Sequence, residues 1–225
     1  MICVASITRY NNPLTTIFEA SKLELCRVCN YTCHLSRDAF STHKPMWDKL
    51  IFLNRLIQCD YVLWLDADVV VTRPFRVPLH HSTLFSHDFF GINSGVFVIR
   101  LDPQNRFMLN ESIRRYYNRY KDRSYYEQLA IKAFYREHSF QHVMIAEHMV
   151  KYYPGLYLPK RMRKEKKLRE FPPLRHAAGC PKTSSRCIKW LVNSKSLSNS
   201  TCEDLDEETL FVRKSIKSDF RDRPI

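Results

Sequence analysis

Glycine is scarce in this chain, with four residues in 225. Neither a GxGxxG nor a GxxxxGK[ST] string occurs, which excludes the common glycine-rich phosphate loops. Long apolar runs are missing too. No stretch of about 18 apolar residues is present, so no membrane-spanning helix is expected. Met1 leads directly into the strand-like run from Ile2 to Thr8, with no basic segment and no apolar stretch before a cleavage site. A signal peptide is therefore not expected at this end. Acidic residues are in the minority, 23 against 36 Lys and Arg, giving a net charge of +13. The excess is uneven: seven basic residues and one acid, Glu165, lie between Lys160 and Arg169, and an acidic block follows at 203–208. Such a chain attracts polyanions, diphosphates or acidic membrane surfaces, and charge alone does not choose among them.

What is present suffices for one packed domain. Hydrophobic residues make up 44% and aromatics 13%, which excludes global disorder. Of the eight cysteines, Cys26, Cys29 and Cys33 precede His34 with zinc-like spacing, but no second ligand pair follows. Small thiols on one buried helix face are the preferred reading. Cys180 and Cys187, seven apart, are a candidate pair in an oxidising compartment. Three Asn-x-Ser/Thr sequons occur, at Asn30, Asn110 and Asn199; they matter only if the chain is secreted.

The apolar pattern alternates between strand and helix. Strands are expected over 2–7, 31–35, 61–65, 69–71, 96–99 and 140–145. Helices are expected over 14–28, 46–57, 106–120 and 125–135, with a turn over 91–95. The basic and then Pro-rich stretch after Pro159 reads as a loop, and residues 191–225 as a charged tail or surface helix. The expected fold class is α/β, with a mostly parallel sheet and helices on both faces; its ligands gather at the carboxyl ends of the strands.

The most informative segment is the apolar run Tyr61 to Leu65 ending in Asp66-Ala67-Asp68. Two unpaired carboxylates beside a buried strand would cost several kcal/mol each. Hard carboxylate oxygens suit Mg²⁺ or Mn²⁺, whose shells are often completed by substrate phosphates. The plainer reading is that both acids cap turns. A third is the haloacid-dehalogenase phosphatases, which carry a similar DxDx[TV] string with the first Asp, here Asp66, as nucleophile.

Other segments bear on this choice: Met46-Trp47-Asp48-Lys49, the run from Gly91 through Asn93-Ser94-Gly95 to Arg100, Glu127-Gln128, and His176-Ala177-Ala178-Gly179-Cys180. With Asp66-Ala67-Asp68 they occur in the order found in GT-A glycosyltransferases. The sequence resembles the retaining family of xyloglucan α-xylosyltransferases, galactomannan α-galactosyltransferases and fungal α-mannosyltransferases. His176, Gly179 and Lys182 also fit the glycogenin-like family of the same fold. The resemblance spans about residues 44 to 190, and a catalytic domain of 1–190 is expected.

The resemblance implies a single GT-A, Rossmann-like domain. It implies Mn²⁺ or Mg²⁺ held by Asp66, Asp68 and His176. A nucleotide-sugar donor is expected near Thr8, Arg9, Lys49, Asp66, Asn93, Ser94, Gly95, Gly179 and Lys182, with Lys49 and Lys182 reaching its phosphates. Gln128, with Glu127 beside it, is placed under the anomeric carbon, and transfer with retention to a glycan acceptor is implied. Two acids usually precede the Gln in that family; Tyr126 and Glu127 stand here. Golgi members carry an N-terminal anchor, so the expected place is the Golgi lumen if an anchor was removed, and otherwise the cytoplasm as a soluble or virus-like enzyme. A nucleic-acid binder using the basic stretch is a weaker reading, since no recognised module accompanies it.

Overall fold

A computed structural model describes residues 1–9, 13–40, 45–77, 79–88, 91–123, 126–138, 143–146, 149–152, 173–176, 201–205, 212–214 and 220. In chain order the elements are β1 (Ile2–Ile7), α1 (Pro13–Cys29), β2 (Thr32–Ser36), a 3₁₀ turn (Pro45–Trp47), α2 (Asp48–Arg55), β3 (Tyr61–Leu65), β4 (Val69–Val71), β5 (Phe75–Arg76), β6 (Thr83–Asp88) and β7 (Gly91–Arg100). Then come α3 (Pro103–Tyr120), α4 (Tyr126–His138), β8 (Val143–Ala146), β9 (Val150–Tyr152), β10 (Leu174–His176), β11 (Glu203–Asp204) and β12 (Val212–Lys214).

Seven strands form the central sheet in the order β12-β8-β6-β7-β3-β1-β2. Strands β1, β2, β3, β6 and β8 point one way; β7 and β12 run against them. The sheet is thus mostly parallel. Alternating side chains divide its two faces, as the two-residue period of a strand requires. Cys3, Ala5, Val62, Trp64, Phe97 and Ile99 share a core with residues of α2, α3 and α4. Val4, Leu63, Leu65, Val96 and Val98 share the other with Leu25, Cys26 and Cys29 of α1 and with the short strands β4, β5, β9 and β10. Helices therefore cover both faces.

Local chemistry explains the element ends. Pro13 opens α1, where its missing N–H costs nothing. The same holds for Pro103 in α3, capped by Asp102, whose side chain accepts from the Asn105 N–H at 2.8 Å. At the far end of α1, Asn30 takes a left-handed φ of 56°, and the Tyr31 N–H reaches back to the Cys26 carbonyl at 2.9 Å. That closure satisfies the last carbonyls of the helix.

Three expectations are corrected. The turn expected over 91–95 is strand: β7 runs unbroken from Gly91 to Arg100, paired with β3 and β6. Gly95 there serves close approach rather than reversal. The cysteines expected as buried thiols, or as zinc ligands, are oxidised, with disulfides Cys3–Cys59, Cys26–Cys33 and Cys29–Cys202. Their thiolates are therefore not available to a metal. Within 191–225, expected as a tail or surface helix, the described residues build structure instead. Strand β11 pairs with β5, β12 pairs with β8 at the sheet edge, and Phe220 is buried in the core. The loop expected after Pro159 and the Cys180/Cys187 pair lie outside the described residues.

Candidate metal centre and active site

Asp66 follows β3 directly, so it stands at the carboxyl edge of the parallel strands. The Val69 N–H closes a turn onto the Asp66 carbonyl at 3.0 Å, and Asp68 leads into β4. Strand β10 pairs antiparallel with β4, in a register that sets His176 opposite Val69. This ladder delivers a residue 108 positions later to the acidic pair: His176 Nε2 lies 3.1 Å from Asp68 Oδ1. Ligand atoms of Asp66, Asp68 and His176 all lie within 4.8 Å of one another. The two carboxylates are 20% and 24% exposed, while the imidazole is 5% exposed. Burial disfavours the imidazolium, but the Asp68 carboxylate, with Asp66 behind it, outweighs burial and raises the His176 pKa.

The cluster fits a divalent cation on its donor set, two carboxylates and an imidazole converging at one point. Gly95 gives a second, steric reason. A Cβ placed there would lie 2.3 Å from His176 Cε1, 2.8 Å from Asn93 Oδ1 and 3.0 Å from Asp66 Oδ2. Only a residue without a side chain lets β7 pass so close to the ligands. A register shift helps: Phe85 pairs with Phe97, yet the next residue, Ser86, pairs with Asn93. Ser94, Gly95 and Val96 therefore bulge out of the β6 ladder beside the acids. The Gly95 carbonyl accepts from the Asp66 N–H at 2.8 Å, which ties the two segments together.

Behind the ligands lies a buried network. Asp66 Oδ1 accepts from Trp64 Nε1 at 2.7 Å and pairs with Lys49 Nζ at 2.9 Å. Lys49 also donates to the Ser94 carbonyl at 2.7 Å and to Glu127 Oε1 at 3.1 Å. Burial disfavours its charge, but Asp66 and Glu127 outweigh that and raise its pKa. The expected phosphate contact is thus corrected. Lys49 is 3% exposed and its three N–H bonds are directed at protein oxygens.

Glu127 and Gln128 open α4 and reach the same strand. Ser94 Oγ donates to Glu127 Oε1 at 2.7 Å, and the Ser94 N–H donates to Gln128 Oε1 at 3.0 Å. Since a backbone N–H can only donate, the Gln128 amide must present its oxygen to β7. Glu127 Oε2 is buried and, among the described residues, has no hydrogen-bond partner. Asn93 bridges: its Nδ2 donates to Asp88 Oδ2 at 2.6 Å, and its Oδ1 accepts from the Gly95 N–H at 2.7 Å. At the same sheet edge, after β1, Thr8 is buried and Arg9 pairs with the fully buried Asp48. Gly179 and Lys182 lie outside the described residues.

Sequence reasoning missed Lys22. It is fully buried on α1 and donates to Ser6 Oγ at 3.0 Å, to the Asp66 carbonyl at 2.8 Å and to the Ala67 carbonyl at 3.2 Å. Burial pulls its pKa down to about 8, against the opposing pull of the Asp68, Asp66 and Glu19 carboxylates. A lysine on the buried stripe of α1, among Phe18, Ser21, Leu25 and Cys26, was the available signal.

The chain matches no protein-family model and no curated protein sequence. Solved structures do resemble it. A glycosyltransferase involved in the glycosylation of the major capsid of PBCV-1 superposes with a TM-score of 0.63 at 13% identity, covering 85% of this chain and 98% of that one. The galactosyltransferase LgtC, solved with donor and acceptor sugar analogues, gives 0.53 at 14% identity, covering 87% and 97%. The glycosyltransferase GlyE of Streptococcus pneumoniae TIGR4 gives 0.54 at 14%, covering 77% and 53%. The fold is the GT-A glycosyltransferase fold. In it the acidic pair and its histidine stand where open α/β sheets bind ligands, at the carboxyl ends of the strands.

Proposed function

We propose that this chain is a divalent-cation-dependent glycosyltransferase that moves a sugar from a UDP- or GDP-sugar to a hydroxyl of a glycan acceptor. The observation carrying this reading is the convergence of Asp66, Asp68 and His176 at the carboxyl edge of a GT-A sheet. Mn²⁺ or Mg²⁺ held there would supply Lewis-acid neutralisation of the leaving diphosphate. The fold does not favour the phosphatase reading, and Asp66 Oδ1 is already engaged by Trp64 and Lys49.

The protein's own groups have distinct tasks. Lys49 and Trp64 fix the Asp66 carboxylate, leaving its other oxygen on the His176 side. Ser94 fixes the first turn of α4 against β7 through Glu127 and Gln128. Transfer with retention is part of the proposal. The Gln128 oxygen is committed to Ser94, so Glu127, with its uncommitted Oε2, is the better candidate for stabilising positive charge on the sugar ring. The three disulfides among the described residues support folding in an oxidising compartment, and the Golgi lumen is the proposed place.

The test is thermal shift against UDP- and GDP-sugars with and without Mn²⁺, since ligands of the native state raise Tm. A donor-induced shift that needs Mn²⁺ is expected, and one unaffected by EDTA would overturn the metal-dependent reading. NMR of the first-formed product should show the α-linkage of an α-linked donor retained. Glu127→Gln should lower kcat by about 10- to 1,000-fold, in the range for loss of one preorganised electrostatic contact.

A further inference from the structure

We propose that Asn30 is an acceptor for an N-linked oligosaccharide. It heads the sequon Asn30-Tyr31-Thr32, and the fold displays the two reactive positions while burying the one between them. Asn30 and Thr32 are exposed, whereas Tyr31 is 8% exposed and donates its hydroxyl to the Phe75 carbonyl at 3.2 Å. The helix ends at Asn30 in a left-handed turn, so no regular element follows until Thr32. The sequon at Asn110 differs: it lies inside α3, its Oδ1 accepts from Asn54, and its Ser112 is completely buried.

Two independent features join the sequon. Disulfides Cys26–Cys33 and Cys29–Cys202 flank Asn30 on both sides. They form in the kind of compartment where oligosaccharides are attached to asparagine. Placement is the second. Helix α1 returns from the end of β1 to the start of β2, and β2 begins opposite Cys3, at the start of β1. Asn30 therefore sits at the amino edge of the parallel strands, while Asp66 sits at the carboxyl edge. A bulky glycan there leaves the metal centre uncovered. This inference does not rest on the proposed transferase activity.

The chemistry needs an oligosaccharide carried on a lipid diphosphate and the enzyme that transfers it. Asn30 Nδ2 forms a bond to the anomeric carbon, and the bond from that carbon to the diphosphate oxygen breaks. The lipid diphosphate leaves with the electron pair, and one Nδ2 proton passes to a base of the transferring enzyme.

The test is to produce the full chain behind a cleavable secretion leader in cultured animal cells and map its peptides. Release of glycans by an amidase in ¹⁸O-water would mark each modified asparagine as labelled aspartate. Label at Asn30 is expected, and it should vanish in Thr32→Ala and in Asn30→Gly, which keeps the left-handed backbone. Both variants should retain the wild-type Mn²⁺-induced rise in Tm. Secreted, folded protein with Asn30 unlabelled, whether or not Asn110 or Asn199 is labelled, would overturn the proposal.

Discussion

At the scale of single residues, the site depends on contacts with little freedom. Asp68→Asn keeps the size of the side chain and removes the charge. Mn²⁺ affinity measured by calorimetry should fall by more than the roughly 10- to 100-fold typical of losing a supporting residue. Gly95→Ala touches no ligand chemically, but its methyl would fall 2.3 Å from His176 Cε1. His176 must move, and a drop of about 10- to 100-fold in Mn²⁺ affinity is expected. Unchanged binding in that variant would show that the imidazole is not held where the cation sits. Lys22→Met takes the lysine N–H bonds from the Ser6 hydroxyl and the Ala67 carbonyl and leaves the Asp66 carbonyl only its Val69 N–H. It also removes one of the two buried lysine charges beside the acidic pair. Each buried group so stranded costs about 1–3 kcal/mol, so the metal-free protein should melt lower. Added Mn²⁺ restores positive charge beside the same carboxylates, so its stabilising shift should exceed that of wild type. Equal shifts in both proteins would assign Lys22 to packing alone.

At the scale of elements, the position of the histidine ligand is a property of strand pairing. Strand β10 has three residues and lies between β4 and β9, so its backbone is paired on both sides. Arg175→Pro removes one ladder N–H next to His176 without altering a ligand. Mn²⁺ affinity should fall while far-UV circular dichroism stays close to wild type; retained affinity would mean that the loop, and not the ladder, places the ligand. The same contrast explains what could be read from the sequence. Strands β1 and β3, with helices α1, α3 and α4, were legible because their apolar periods are strong and their interiors local. Asp66 and Asp68 were legible because carboxylates at the end of a buried strand demand a partner. The β7 bulge was not, because Asn-Ser-Gly carries turn chemistry and only pairing with β3 and β6 makes it strand. Lys49 read as a donor-phosphate contact for the same reason: its three acceptors come from the residue after β3, from β7 and from α4, distant in sequence.

At the scale of the whole molecule, the late chain is fastened to the early chain by covalent and sheet contacts together. Cys202 joins Cys29 across 173 residues, and the next residues, Glu203 and Asp204, pair with β5. Ion pairs Arg73–Glu203 at 2.7 Å and Arg76–Asp204 at 3.1 Å line the same seam, but exposed pairs of this kind contribute at most about 1 kcal/mol each. Two-residue strands are weak on their own, so the disulfide is the dominant constraint. A cross-link closing so long a loop removes much of the freedom of the unfolded chain, and its loss typically costs about 2–5 kcal/mol. The double variant Cys29→Ser, Cys202→Ser should accordingly melt about 4–20 °C below wild type, on the roughly 2–4 °C per kcal/mol expected at this chain length. The metal ligands lie at the opposite edge of the sheet from Cys29, which immediately precedes Asn30. Mn²⁺ affinity below the melting transition should therefore be unchanged in the double variant. A loss of Mn²⁺ binding at temperatures where the variant is still folded would show that the disulfide holds the metal centre together as well as the fold.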